Sequence, residues 1–208
     1  MEWFSTLTLA LGSAWTSGIN LYATVTVLGL LQKFGWAKLP GGLDVLDSWW
    51  IIGIAGGMFV VEFFADKVPY VDSVWDVIHT FIRIPAGAVV AYSATNQLEP
   101  KIVVIATLLG GSLALASHGT KAAARVGANF SPEPVTNWTL SFVEDVIAIV
   151  GVLLAVFAPV AIAVVLILFV LFFLWFMPKV LRAIRRLFYA VAGFFRGESF
   201  AEVAKKAG

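Results

Sequence analysis

The sequence contains no cysteine among its 208 residues, and only 13% of those residues are charged. The absence of cysteine excludes disulfide bonds, thiolate nucleophiles and thiolate metal ligands. Soluble domains have about a quarter of their residues charged, so this chain does not have the composition of one. Its net charge of +1 gives no indication of nucleic-acid binding. With 60% hydrophobic residues and a mean hydropathy of +0.92, the chain is predicted to be an integral membrane protein.

Several enzyme motifs are absent as well. The chain has no phosphate-binding G-x-x-x-x-G-K-[ST] loop, no H-E-x-x-H zinc motif and no G-x-S-x-G nucleophile motif. Its only histidines are His79 and His118. No catalytic residues are therefore assigned from the sequence, and a role other than an enzyme is favoured.

Six hydrophobic segments predict an all-α, polytopic membrane bundle of about six spans, since one span needs roughly 20 residues. They cover residues 4–31, 49–66, 71–95, 102–127, 138–158 and 160–178. The first segment lacks the basic start of a cleavable signal peptide, so we expect it to remain in the protein. These segments divide the chain into a transmembrane bundle, 1–178, and a tail, 179–208.

The tail carries seven of the 14 lysines and arginines of the chain. Apolar residues alternate with arginines over 179–195, which predicts an amphipathic helix on anionic lipids of the inner leaflet. The positive-inside rule places the tail in the cytoplasm, and six spans would place the N-terminus there too. The links 67–71 and 128–137 would then be cytoplasmic and 32–48 would face outward. A homo-oligomer is compatible with this composition, and nucleic acid is not an expected partner.

Two of the segments carry small and polar residues at bilayer depth. They are "GSAWTSGINLYAT" at 12–24 and "GGSLALASHGTKAAARVGAN" at 110–129. Such composition is typical of broken or re-entrant helices that line a cavity, or of helices that pack closely through small residues. We predict interrupted first and fourth segments on this composition. Residues 16–25 also align with 117–126, which suggests internal repeats, and repeats of three spans each would be inverted. A second match, of 71–73 with 135–137, does not fit such a three-plus-three repeat.

Ionisable residues occur at helical spacing inside these apolar segments. Asp72, Asp76, His79 and Arg83 are separated by four, three and four residues, which places them on one face of a helix. Ionisable groups at membrane depth are costly, so they usually face the bundle interior and mark a function. The predicted pathway for an ion or a small polar or anionic solute comprises Asn20, Glu62, Asp76, His79, Arg83, His118, Lys121, Arg125, Glu144 and Asp145.

Three chemistries fit these residue types. Asp72, Asp76 and His79 offer carboxylates and an imidazole, which suit a divalent cation such as Mn²⁺ or Zn²⁺ as a cofactor. Chains of aspartate and histidine relay protons in coupled transporters. Arg83 together with Lys121 and Arg125 would hold a phosphate or a carboxylate. The alternative for residues near 66–72 is a set of salt bridges at the membrane interface.

Three functional hypotheses follow. The first is a small transporter or channel with a buried charged pathway. The second is an intramembrane enzyme or lipid-handling protein acting on a phosphorylated headgroup, with His79 or His118 as the acid–base group. The third is a structural membrane protein whose charges only fix the register of its helices.

Four stretches together resemble a known family: "SGINLYATVTVLGLL", "VEFFADKVPYVDSVWDVIHTFIRIPAGA", "SHGTKAAARVGAN" and "EPVTNW". The block E-x-x-A-D-K-x-P-x-x-D, from Glu62 to Asp72, is the most specific part. The family consists of bacterial inner-membrane proteins catalogued as a domain of unknown function, number four-one-two-six. The resemblance covers most of 5–157 and leaves 160–178 and the tail outside. It implies a bacterial polytopic inner-membrane protein and supplies neither an activity nor a substrate.

Overall fold

A computed structural model describes residues 2–129 and 134–196, and helices account for nearly all of them. The α-helices are α1 (Glu2–Ile19), α2 (Leu21–Lys33), α3 (Trp49–Ala65), α4 (Pro69–Thr95), α5 (Pro100–Asn129), α6 (Pro134–Phe157) and α7 (Pro159–Arg196). A 3₁₀ helix, Gly41–Asp47, precedes α3. The chain divides into two compact units within α7, Met1–Leu166 and Ile167–Gly208. The prediction of an all-α membrane bundle is confirmed.

Four of these helices are long and apolar enough to cross a membrane. They are Val74–Thr95, Pro100–Gly127, Val135–Phe157 and Pro159–Gly193. A fifth span is added if the 3₁₀ helix and α3, which meet at 77°, are counted together. The protein is therefore an integral membrane protein. The predicted count of about six spans is not reached in the described residues, because the first predicted segment, 4–31, consists of two separate helices.

Those two helices, α1 and α2, form a hairpin in the first unit. Helix α1 runs in the same direction as α5, since Ala14 lies against Gly110 and the carbonyl of Ile19 against Lys121. Helix α2 then runs back along α3, placing Gly29 against Ile52 at the start of that helix. A cavity of about 1130 Å³ is accordingly lined by residues from the start of α1 and from beyond the end of α2, among them Glu2, Trp3, Trp36 and Lys38.

The cytoplasmic position of the N-terminus stays a prediction, and the hairpin bears on the span count behind it. That prediction counted residues 4–31 as one crossing, whereas the hairpin enters and leaves at one end of the bundle. We call this the vestibule end, since the large cavity lies there and is also lined by Gln97 and Phe157. The opposite end, which we call the charged end, holds the short link between α3 and α4 at Asp66.

The hairpin turns at Asn20, and the side chain of this residue explains why. Asn20 has extended backbone angles, φ −145° and ψ 100°, and its Oδ1 accepts a hydrogen bond from the Ala23 backbone N–H at 2.9 Å. Asparagine competes with helical hydrogen bonds in this way and is a preferred N-cap residue. It therefore ends α1 and starts α2 at one position, which confirms the predicted interruption of the first segment.

The fourth segment is different, because α5 continues as one helix over Pro100–Asn129. The predicted interruption there is wrong, and its small residues serve close packing instead. A Cβ atom on Gly110 would lie 2.4 Å from the Cβ of Ala91, and one on Gly18 would lie 2.3 Å from the carbonyl oxygen of Ala114. Helices α1 and α5 also run in parallel, which is not the relation that an inverted repeat of three spans requires.

An apolar core lies between the two ends of the first unit. It includes Leu9 of α1, Leu28 of α2, Val90 of α4 and Val152 of α6. Along each of these helices, the core residue stands between the vestibule end and the polar residues described below. The interior of the unit is thus apolar toward the vestibule end and polar toward the charged end.

The second unit contains the rest of α7. Its helix continues past Pro178 to Arg196, so the basic stretch 179–195 is helical, as predicted. Lys179 Nζ lies 3.1 Å from the centre of the Trp175 ring, and the Arg185 guanidinium lies 5.6 Å from that of Tyr189. Residues 197–208 of the predicted tail and 130–133 of the predicted cytoplasmic run lie outside the described residues.

Candidate functional site: a buried ionic network

The described residues bury six acidic, three basic and two histidine side chains around the tip of the hairpin, each at most 7% exposed. We call this set the ionic network. It comprises Glu62, Asp66, Asp72, Asp76, His79, Arg83, His118, Lys121, Arg125, Glu144 and Asp145. Together with Asn20, it contains all ten residues of the predicted pathway. The structure therefore brings the predicted residues together, from α3, α4, α5, α6 and the hairpin.

Lys121 lies at the centre of the network. Its ammonium group donates to Asp66 Oδ2 at 3.0 Å and to Glu62 Oε1 at 3.4 Å. Glu144 Oε2 and Asp76 Oδ1 lie 3.6 and 3.9 Å away. One buried cation thus holds carboxylates from three helices and the link after α3, which lowers the cost of burying each of them.

Arg83 is fully buried and ties α3 to α4. Its Nη2 donates to Glu62 Oε1 in a short ion pair. Its Nη1 lies 3.7 Å from Asp76 Oδ1 and 3.2 Å from His118 Nδ1. Since a guanidinium has no acceptor, His118 Nδ1 is the acceptor in that last contact.

Arg125 joins three further elements at the charged end. Its Nε and Nη2 donate to both oxygens of Glu144, with Nη2 2.5 Å from Oε2. Its Nη1 donates to the backbone carbonyl of Asp66 at 2.8 Å and lies 3.4 Å from Asp72 Oδ1. A planar guanidinium suits this bidentate arrangement better than an ammonium would.

The two histidines lie on different helices, His79 on α4 and His118 on α5. His118 accepts from Arg83 on Nδ1, so we assign its Nε2 as the donor to Thr80 Oγ1, 2.8 Å away. We assign His79 Nδ1 as the donor to the Trp75 carbonyl, 2.7 Å away, and Nε2 as the acceptor from the Tyr22 hydroxyl, 2.9 Å away. These partners assign a neutral imidazole to both.

The tip of the hairpin enters the network directly. Asn20 Nδ2 donates to Asp145 Oδ1 at 2.9 Å. Just before it, the carbonyls of Gly18 and Ile19 accept from Arg83 and Lys121, each at 3.5 Å. Carbonyls at the end of a helix lack partners within that helix and carry partial negative charge. The cations of the network therefore also neutralise the end of α1.

The network has more acid than base. Among the described residues it holds three more carboxyl groups than lysines and arginines, and several carboxyl oxygens are buried without a hydrogen-bond donor. These oxygens are Glu62 Oε2, Asp66 Oδ1, both oxygens of Asp72, Asp76 Oδ1 and Asp145 Oδ2. A buried carboxylate oxygen without a hydrogen-bond donor is costly, so the site can gain stability by taking up positive charge.

A cavity of about 190 Å³ reaches the network between α4 and α5. It is lined by Asp72, Asp76, Val77, Thr80, Ala122, Arg125 and Val126. Val77 and Val126 are exposed, and they belong to the first turn of one candidate span and the last turn of the next. The cavity therefore opens near the charged end.

The predicted divalent-cation site on Asp72, Asp76 and His79 is not found. Within residues 2–129 and 134–196, no three histidine, aspartate or glutamate side chains are grouped so that they could hold a metal ion. His79 is turned toward Tyr22 and Trp75, where both of its ring nitrogens already have partners. The spacing along α4 placed these residues on one side of the helix, but it did not fix where the imidazole points.

Sequence reasoning left Asp66 out of the pathway, because it treated 66–72 as an interfacial link. Asp66 is 1% exposed and contacts both Lys121 and Arg125. Its position four residues after Glu62 was the available signal. Lys67, grouped with these residues in the sequence, instead donates to the Phe63 carbonyl at 2.8 Å. Burial lowers the pKa of Lys67.

Comparison with known families agrees with the resemblance seen in the sequence. The model of the family described as Domain of unknown function (DUF4126) matches residues 7–179. The chain belongs to this family. The match extends past 157 and takes in the apolar segment 160–178, which the sequence resemblance had left out. No curated protein and no solved structure matches this member of DUF4126.

Proposed function

We propose that this DUF4126 protein is a small transporter that moves a cation across the membrane through the ionic network. The observation that carries the proposal is the hairpin, whose tip at Asn20 contacts Asp145 inside a network that holds more acid than base. Broken helices that meet ionisable residues near the middle of a bundle are a recurring design of transporter binding sites.

The charge of the network favours a cation over an anion. Arg83, Lys121 and Arg125 are the bases that a phosphate or carboxylate would need, and each already contacts carboxylates. An anionic solute would have to displace these partners inside a region with an excess of acid. For the same reason, the geometry does not favour the hypothesis of an enzyme or lipid-handling protein for phosphorylated headgroups.

The unpartnered oxygens argue against a purely structural role. A network that only fixed the register of helices would be most stable with every buried carboxyl oxygen paired. Asp72 has no hydrogen-bond donor on either oxygen, and Asp145 and Glu62 each have one oxygen without a donor. A site that binds and releases a cation keeps such oxygens available.

The apolar core favours a transporter over an open channel. The cavity between α4 and α5 reaches the network from the charged end, while Leu9, Leu28, Val90 and Val152 stand between the network and the vestibule end. An alternating-access cycle needs a binding site that is open toward one side at a time. Movement of the hairpin relative to α4 and α6 would shift that access.

The test is a flux assay on purified protein in sealed proteoliposomes. Proton, Na⁺ and K⁺ fluxes are measured with ion-sensitive dyes under an imposed ion gradient, for the parent protein and for Asp76→Asn. Asp76 faces Arg83, Lys121 and the cavity, so its neutralisation should abolish the flux. The matched control is Glu99→Gln, which removes an exposed acid at the start of α5 and should leave the flux unchanged. Normal flux in a folded Asp76→Asn protein would overturn the proposal.

A further inference from the structure

We propose that Asp72 and Asp76 form a proton-binding site that is reached from the charged end through the cavity between α4 and α5. The inference rests on the proposed function in one respect, since it names the proton as the transported or coupling cation.

Both carboxyl groups of the site are buried and lack hydrogen-bond donors on some of their oxygens. Asp72 is 1% exposed and Asp76 is 6% exposed, and both line the cavity. Neither oxygen of Asp72 has a hydrogen-bond donor, and Oδ1 of Asp76 has none. A buried carboxyl without donors is stabilised by protonation, because the neutral acid avoids the cost of burying charge.

Three basic side chains lie near the carboxyl groups of Asp72 and Asp76. From α5, Arg125 Nη1 lies 3.4 Å from Asp72 Oδ1, and Lys121 Nζ lies 3.9 Å from Asp76 Oδ1. From α4 itself, Arg83 Nη1 lies 3.7 Å from Asp76 Oδ1. These bases favour ionised carboxylates, but each is shared with an acid from another element.

Those competing acids come from α3, from the residue that follows it and from α6. Glu62 of α3 pairs with Arg83 and Lys121, Asp66 at the end of α3 pairs with Lys121 and Arg125, and Glu144 of α6 pairs with Arg125. His118 of α5 contacts Thr80, which also lines the cavity. Carboxylates close to one another resist simultaneous ionisation, which favours the uptake of a proton by this set.

The side chains at this site suit a proton better than a metal ion. A metal ion needs several oxygen or nitrogen ligands at once, and no such group of acids and histidines is formed in the part of the chain that is described. A proton needs one carboxyl oxygen and a route for water. The cavity, at about 190 Å³, has room for several water molecules.

The experiment uses the hydrophobic reagent dicyclohexylcarbodiimide on the purified full-length protein in detergent. A carbodiimide reacts with a protonated carboxyl group and leaves a stable adduct, whose position is read by peptide mass spectrometry. We expect an adduct on Asp72 or Asp76 that forms rapidly in acidic buffer. Its rate should fall about tenfold for each pH unit above the midpoint of titration, as the protonated fraction does. Na⁺ and K⁺ should not protect the site.

Three variants localise the reaction. Asp72→Asn combined with Asp76→Asn should abolish the adduct, whereas Glu99→Gln should leave it unchanged. Ala122→Leu, which fills the cavity and keeps both carboxyl groups, should slow the reaction. Folded parent protein that gives no adduct on either residue in acidic buffer would overturn the site. Protection by Na⁺ would overturn the proton in favour of a metal cation.

The labelling and flux measurements together distinguish a failure of the proton site from a failure of the proposed transport function. If labelling behaves as expected and proteoliposomes carry no proton, Na⁺ or K⁺ flux, the proton site stands and the transport function fails. If flux is present while Asp72 and Asp76 stay unlabelled, the transport function stands and the proton site fails.

Discussion

Asn20 and Asp145 lie 125 positions apart in the sequence, and the side-chain amide of Asn20 donates to the carboxylate of Asp145 at 2.9 Å. The same asparagine accepts the Ala23 backbone N–H at 2.9 Å. One side chain therefore closes the first turn of α2 and attaches the hairpin tip to α6. The turn of the hairpin and its attachment to the ionic network therefore depend on the same residue.

Replacing Asn20 should destabilise the protein in two separable ways. Asn20→Ala removes the N-cap, at a cost of about 1 kcal/mol, and leaves the Asp145 carboxylate without its donor, at about 1–3 kcal/mol. Asn20→Ser keeps a capping oxygen and loses only the bond to Asp145, so its loss should be smaller. Melting temperatures in detergent measure both, and equal melting temperatures for the two variants would show that the cap contributes nothing.

The hairpin makes a direct prediction about sidedness. The native chain has no cysteine, so single cysteines can be introduced and labelled with a membrane-impermeant thiol reagent. Glu2→Cys, Lys38→Cys and Gln97→Cys should label from the same side of the membrane, because all three positions line the cavity at the vestibule end. Val68→Cys, at the opposite end, should label from the other side. Labelling of Glu2→Cys and Lys38→Cys from opposite sides would mean that residues 4–31 cross the membrane.

Much of the candidate site could be predicted from the sequence, because helical spacing alone determines which residues share a face. Asp76 and Arg83 lie seven residues apart on α4, and Lys121 and Arg125 lie four apart on α5, so each pair had to point in one direction. The cost of buried charge then required these faces to meet. The structure brings them together as predicted.

Other features depended on information that spacing does not contain. Glycines near membrane depth are compatible with a broken helix and with close packing, and α1 and α5 turned out to differ in this respect. The difference is one side chain, since Asn20 can cap a new helix and Lys121, its aligned counterpart, cannot. The return of α2 toward the vestibule end depends on packing against α3, which no local pattern encodes.

The close approach of α1 and α5 predicts a strong effect at Gly18. A Cβ atom there would lie 2.0 Å from Ser117 Oγ and 2.3 Å from the backbone oxygen of Ala114. Gly18→Ala must therefore push the hairpin away from α5, at a cost of about 1–3 kcal/mol. Gly57→Ala is the matched control, because a Cβ atom on Gly57 meets nothing within 4 Å. Thermal unfolding in detergent should show a lower melting temperature for Gly18→Ala alone, and a parent-like value for it would contradict this packing.

The pair of Arg83 and Glu62 should be strongly coupled. Both side chains are fully buried, and Arg83 Nη2 donates to Glu62 Oε1. Removing one partner leaves the other charge buried, which costs about 3–5 kcal/mol in such pairs. Arg83→Met and Glu62→Gln should therefore each lower the stability severely, and the double variant should lose clearly less than the two losses added together.

Denaturation in detergent gives the coupling energy as the difference between the added single losses and the double loss. Lys101→Met with Glu99→Gln provides the reference cycle, since that pair is exposed and 3.9 Å apart, and exposed pairs contribute about 0–1 kcal/mol. Additive losses at Arg83 and Glu62 would mean that Lys121, 3.4 Å from Glu62 Oε1, carries the compensation instead. Glu62→Gln combined with Lys121→Met would then show the coupling that Arg83 lacked.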